Sequence, residues 1–223
     1  MSDDSFIREV DEELRQDRIQ GLWSRYGWLL IAVAVLIVAG TAAWRGWQYY
    51  TEQRAAAAGD AYMSAIELSE NGRQEEALAA LDALVQEGHG AYPTLARLRV
   101  AGELEGEGKQ AEALAAYDAI AADNSVDEAF RAVARLRAGL IAVDTESYEA
   151  VRNRLEPLAA AGGYYRHLAR EGLGLSAWKA GAGEEAQEWF RAIAEDAESG
   201  SNIRSRAALM LDLLAGKGVG QAG

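Results

Sequence analysis

Two histidines, His89 and His167, are the only imidazoles in 223 residues, and there is no cysteine. That removes a thiol nucleophile, a disulfide and any thiolate metal site. Neither histidine has a second one at the i+3 or i+4 spacing that places two ligands on one helix face. A lone histidine of this kind reads as a surface or structural residue. Gly108-Lys109 is followed by Gln110 rather than Ser or Thr, and position 103 is Glu, so the phosphate-loop pattern fails. Gly172-Leu-Gly174-Leu-Ser-Ala177 lies inside a helical pattern with no strand before it, so it is no dinucleotide fingerprint. A nucleophile elbow of the Gly-x-Ser-x-Gly type is missing. The 35 acids mostly fall on solvated helix faces. These residues predict no catalysis and no bound cofactor or metal.

One set of side chains remains that binds without reacting. Arg97, Arg99, Arg135, Arg137, Arg170 and Arg206 recur along the chain from residue 97 onward. A guanidinium forks two parallel hydrogen bonds onto a carboxylate, so a lining of arginines suits an extended acidic peptide or a chain terminus. The competing expectation is that they pair with glutamates of neighbouring helices, since the chain has acids to spare. With 22 Lys and Arg against 35 Asp and Glu, the net charge is −13, and nucleic acid is excluded as a partner.

Helices must position these arginines. Two prolines in 223 residues fit long uninterrupted helices. Four segments align: Gly72-Arg-Gln-Glu-Glu-Ala77-Leu78, Gly108-Lys-Gln-Ala-Glu-Ala113-Leu114, Thr145-Glu-Ser-Tyr-Glu-Ala150-Val151 and Gly181-Ala-Gly-Glu-Glu-Ala186-Gln187. Their alanines lie 36, 37 and 36 residues apart. Twelve residues earlier stand Ala65, Ala101, Ala138 and Gly174; four residues later stand Leu81, Tyr117, Arg154 and Phe190. Small residues let two antiparallel helices cross closely, and larger apolar ones fill the space beside the crossing. The third copy departs from this, with Pro157 at an apolar position and Leu155 and Leu158 one residue late. The predicted helix pairs are 60–71/74–87, 94–105/109–122, 127–142/146–160 and 164–180/183–197, with a last helix at 203–215. First helices line the inner surface of such stacks, which is where the arginines fall. The period and pattern resemble the tetratricopeptide repeat family, over about three quarters of the chain. The repeats lack that family's usual aromatic at the start of the first helix and its closing proline.

The first fifty residues are of another kind. Residues 1–25 carry Arg8, Arg15, Arg18 and Arg25 among seven acids, with Phe6, Ile7, Val10 and Leu14 at amphipathic helical spacing. From Tyr26 to Trp44 there is no charged residue. As a helix this run covers about 28 Å, the thickness of a bilayer's hydrocarbon core. Tyr26 and Trp28 mark one end; Trp44, Arg45 and Trp47 mark the other, as interfacial anchors do. A cleaved signal peptide is disfavoured by a 25-residue, net acidic leader. The arginines before the span place the N-terminus inside, so the rest lies in the periplasm of a bacterium. Ala39/Ala43 and Ala42/Gly46 are small pairs at a spacing that admits another helix.

The expected fold is all-α: an N-terminal transmembrane helix, then a tetratricopeptide-like solenoid of about four helix pairs with a C-terminal capping helix. The segments are 1–25 cytoplasmic, 26–48 transmembrane, 49–59 a helical linker, 60–215 the repeat domain and 216–223 a tail. The layout is similar to the ancillary SecYEG translocon subunit family of bacterial inner membranes. The likeness rests on the short charged N-terminus, the single span, the Trp44-Arg45-Gly46-Trp47 exit, the Ala61-Tyr62 start of the repeats, and the opening Phe6-Ile-Arg-Glu-Val-Asp-Glu-Glu-Leu14. It implies a non-enzymatic factor beside the translocon channel. It further implies association with a membrane-anchored periplasmic chaperone of the prolyl-isomerase type, and assistance to newly exported client proteins. Two other roles fit the layout: a scaffold for cell-division or wall-assembly machinery, and a soluble periplasmic binding protein released by cleavage.

Overall fold

A computed structural model describes the backbone of residues 3–216, and side chains from Tyr26 onward except position 30. The expected amphipathic face of Phe6, Ile7, Val10 and Leu14 lies outside the described side chains, as does the tail beyond residue 216. The described residues are helical and contain no strand. They divide into two units, residues 1–57 and 58–223.

The first unit consists of helix α1, Asp3–Glu70, up to Ala57. Leu29, Ile31, Val33, Val35, Leu36, Ile37 and Val38 stand exposed, as do Trp28, Trp44 and Trp47, these three each about two thirds or more. Among the described residues of its own unit, nothing covers these side chains. Thr41, the one hydroxyl between Trp28 and Trp44, donates to the Val38 carbonyl at 3.1 Å and to the Ile37 carbonyl. The helix therefore satisfies its own polar groups where it is apolar outside, which is the condition for a helix in lipid. Beyond Trp47, Arg54 lies 4.5 Å over the Tyr50 ring, and Gln53 donates to the Tyr49 hydroxyl at 2.8 Å.

The second unit begins with the end of α1. Helices α2 (Gln74–Glu87), α3 (Tyr92–Gly106), α4 (Gln110–Ala122), α5 (Glu128–Thr145) and α6 (Tyr148–Leu155) follow. A 3-10 turn, Glu156–Leu158, then leads to α7 (Arg166–Lys179), α8 (Gly183–Ala194) and α9 (Ser201–Gly216). Sequential helices pack on each other, so the unit is four helix pairs and a terminal helix. Three of the aligned alanines, Ala77, Ala113 and Ala186, are fully buried, and so are Ala65, Ala101 and Ala138 opposite. Gly174 shows why the crossing position is small: a Cβ there would sit 2.8 Å from the Phe190 ring. Leu81, Tyr117 and Phe190 then fill the space beside the crossings.

Three of the four turns inside pairs use glycine. Gly72, Gly108 and Gly181 adopt φ of 75°, 77° and 79°, a region that side chains with a Cβ avoid. The next residue's N–H returns to the carbonyl five residues back: Arg73 to Leu68, Lys109 to Leu104, Ala182 to Ala177, each at 2.9 Å. This closes each first helix with the same motif. The third turn has no glycine. There Ser147 caps α6 by accepting from the Ala150 N–H at 3.4 Å.

The third pair differs in its packing too. Ala150 is half-buried, and Val151 and Leu155 are fully buried in its stead. The helix has turned so that its apolar face arrives one residue late. Pro157 lacks an N–H and ends the α-helix at Leu155. Arg154, at the position of Leu81 and Phe190, does not enter the core. It bonds Asp118 at 2.7 Å and Glu146 at 2.6 Å. Leu155 instead packs where Gly139 has no side chain; a Cβ at Gly139 would lie 2.2 Å from Leu155 Cδ2.

Candidate functional site

All six arginines predicted as a lining lie in the second unit, and each meets at least one acid there. Arg97 on α3 donates to Asp123, just past α4, at 2.7 Å. Arg170 on α7 donates to Asp196, just past α8, at 3.2 Å, and to the carbonyls of Ala159 and Ala192. These two arginines share one repeat position, and their aspartates share another. Arg99 bonds Glu103 on its own helix and the Ser69 hydroxyl at 3.2 Å. Arg206 on α9 forks onto Glu171 of α7 at 2.6 and 2.8 Å, a different arrangement from Arg97 and Arg170.

Arg135 and Arg137 on α5 are held less firmly. Arg135 comes within 3.8 Å of Glu128, and Arg137 within 3.9 Å of Glu105. Neither distance is a hydrogen bond. The Arg137 side chain is 56% exposed.

The electrostatics follow the geometry. Asp123 accepts from the Ser125 hydroxyl, from Arg97 and from the Ser125 N–H, and its pKa falls to about 2. Asp196 is the densest node: Arg166, the Glu198 N–H and His167 all bond it, and its carboxyl is held well below the usual carboxylate range. His167 thus serves a structural contact, with Nε2 at 2.9 Å from Asp196. Glu103 is partly buried, which favours the proton, but bonds from Ser69, Gln74 and Arg99 outweigh that and lower its pKa. Among the described residues no group of His, Cys, Asp or Glu is arranged to hold a metal.

Between α3 and α5 lies a cavity of about 400 Å³. Leu95, Leu98 and Val133 are its apolar walls, Tyr62 of α1 adds a ring, and Gly102 opens it toward Tyr117. Arg99, Glu103 and Arg137 are its charged members. A second cavity of about 350 Å³ shares Arg137 with the first and is lined also by Leu140, Ile141, Glu105 and Asp144. Sequence reasoning placed Arg99 and Arg137 in a common lining, and the first cavity contains both. It did not find the apolar walls, because half-buried leucines in a repeat read as core.

Paired helices and shared turns define a helical-repeat protein of the kind that presents surfaces to other proteins. A family model described as a tetratricopeptide repeat-like domain matches residues 20–215, and the chain belongs to that family. No curated protein and no solved structure matches the chain. Tetratricopeptide-like domains are protein-interaction modules, so this unit's partners are proteins. Near the N-terminus α1 is long and apolar enough to cross a membrane once.

Proposed function

We propose that the chain is a single-pass inner-membrane protein whose periplasmic repeat domain works at the exit of the Sec translocon. There it binds channel subunits, a membrane-anchored chaperone and exported clients, and assists their transfer to periplasmic chaperones. One observation carries the reading: the charge-free run from Tyr26 to Trp44, with its apolar side chains uncovered, belongs to the same family match as the repeats. Tethering a binding domain to a membrane raises its effective concentration near emerging chains, so modest affinity suffices. Four arginines before the span support an N-terminus in the cytoplasm. The Trp44-Arg45-Gly46-Trp47 exit and the Ala61-Tyr62 repeat start support the translocon assignment by resemblance. The arginines of the first helices are the proposed partner-facing groups. Tyr26, Trp28, Trp44, Arg45 and Trp47 are the proposed interfacial anchors.

Photo-crosslinking from sites along residues 28–50 in native membranes, followed by mass spectrometry, tests the role. Translocase subunits together with a chaperone support it. Wall-building or division proteins in their place identify an envelope scaffold and overturn it.

A further inference from the structure

Six arginines were candidates for meeting a partner, and their bonds rank them. Four donate hydrogen bonds to neighbours: Arg97, Arg99, Arg170 and Arg206. Releasing any of these takes a charged donor from a carboxylate. Arg137 makes no such bond, lies 3.9 Å from Glu105 and is the most exposed of the six. It also lines both cavities between α3 and α5.

The charge balance differs on its two sides. In the larger cavity Arg99 and Arg137 face Glu103, whose oxygens are already taken by Ser69, Gln74 and Arg99. That side attracts an anion. In the smaller cavity Glu105 and Asp144 stand beside Arg137; Glu105 Oε2 accepts from Tyr117 at 3.4 Å and Asp144 Oδ1 from Lys179 at 2.8 Å, and their second oxygens attract hydrogen-bond donors. The two cavities meet at Arg137, and their linings on α5 run from Val133 to Thr145, about 18 Å at 1.5 Å per residue; together they form one cleft along α5. An extended chain of roughly five or six residues has that length.

We propose that this cleft takes an extended segment of a partner polypeptide in which a large apolar residue precedes an acidic one. The apolar side chain fills the space between Leu95, Leu98 and Val133. The acidic side chain takes a forked bond from Arg137, replacing its long contact with Glu105. A neutral or basic residue follows, toward Glu105 and Asp144. Side-chain recognition from within a chain is the occupant, because the cleft continues past Arg137 on both sides. The inference rests on the protein-binding reading above.

The test uses full-length protein in detergent and the probe acetyl-Gly-Phe-Glu-Ala-Lys-Gly-amide, titrated calorimetrically. Exchanging Glu for Gln or Phe for Ala in the probe is expected to weaken binding about tenfold or more, the scale of one charge-assisted bond or one buried aromatic. Arg137→Gln is expected to do the same, and Arg152→Gln, which removes an exposed ion pair with Glu156 outside both cavities, to leave binding unchanged. Gly102→Leu, which grows a side chain into the larger cavity, is expected to abolish binding while circular dichroism stays helical. Should that variant unfold, Arg137→Gln decides alone. Binding that ignores these changes overturns the inference, as does no binding, or binding only of acetyl-Gly-Phe-Glu with a free terminus. A wild-type chain that crosslinks to the translocase yet ignores every probe overturns this inference alone. A chain that binds the probe but captures no translocase component overturns the proposed role and leaves the cleft.

Discussion

Arg97 bonds Asp123 across 26 residues of sequence, and Arg170 reaches Asp196 across the same 26. Each arginine stands on the first helix of a pair, and each aspartate just beyond the second. The bond therefore clasps the open end of the pair, opposite the glycine turn. In the third pair both positions are alanine, Ala134 and Ala160, so the two partners are absent together. An arginine left without its aspartate would be a partly buried charge lacking a partner, which is costly.

The clasp makes stability depend on pH in a defined direction. Asp123 has a folded pKa of about 2, below its ordinary value of 3.8. A lowered carboxylate pKa contributes stability that is fully present above about pH 4 and is lost as pH falls toward 2. Asp196 acts the same way at still lower pH. Melting temperature should fall through this window, and Asp123→Asn should flatten the fall. A variant that melts with the unchanged pH profile contradicts the assignment.

Packing at the crossings should dominate stability. Phe190 is 1% exposed against Gly174, and Phe190→Ala is expected to destabilise by about 3–5 kcal/mol. Gly139→Ala adds a methyl where Leu155 already lies and should destabilise by about 1–3 kcal/mol. Urea unfolding of the repeat domain in detergent measures both. Equal stability of Gly139→Ala and wild type would contradict the close approach of α5 and α6.

The third turn depends on a side chain where the others depend on glycine. Ser147→Ala removes the α6 cap and should lower stability by about 1 kcal/mol. Hydrogen exchange should then accelerate first in Tyr148–Leu155, an eight-residue helix too short to persist alone. Uniform acceleration across the domain would mean that the cap is not a local support.

A charge in the middle of the span should be tolerated poorly. Val35→Arg places a cation at the centre of the apolar run, at a cost of roughly 2.5–3.5 kcal/mol on insertion scales. Membrane fractions should hold less of this variant than of Val35→Leu. Equal recovery would argue that residues 26–44 do not meet lipid.

Much of this architecture was readable from spacing. Alanine and glycine at the crossings, with Leu81, Tyr117 and Phe190 four residues on, recur because helix pairs leave no other place for them. The late apolar face of the third copy was visible in Leu155, but the rotation that buries Val151 was not, since Pro157 and the 3-10 turn decide it together. The arginines were visible as a group, whereas their partners were not. Asp123 and Asp196 lie 26 residues away, and a composition with so many acids offers every arginine several candidates. A repeat-wise comparison of charged positions would have found the clasp. The cleft at Arg137 depends on which leucines stay half-uncovered, and that is set by how α3 and α5 pack.

The most direct measurement is protease digestion of spheroplasts carrying the full chain, combined with carbonate extraction of their membranes. The predicted result is a chain that stays in the membrane pellet while added protease removes the bulk after about residue 48. A chain released by carbonate, or a repeat domain protected in intact spheroplasts, contradicts a membrane-anchored domain facing the periplasm.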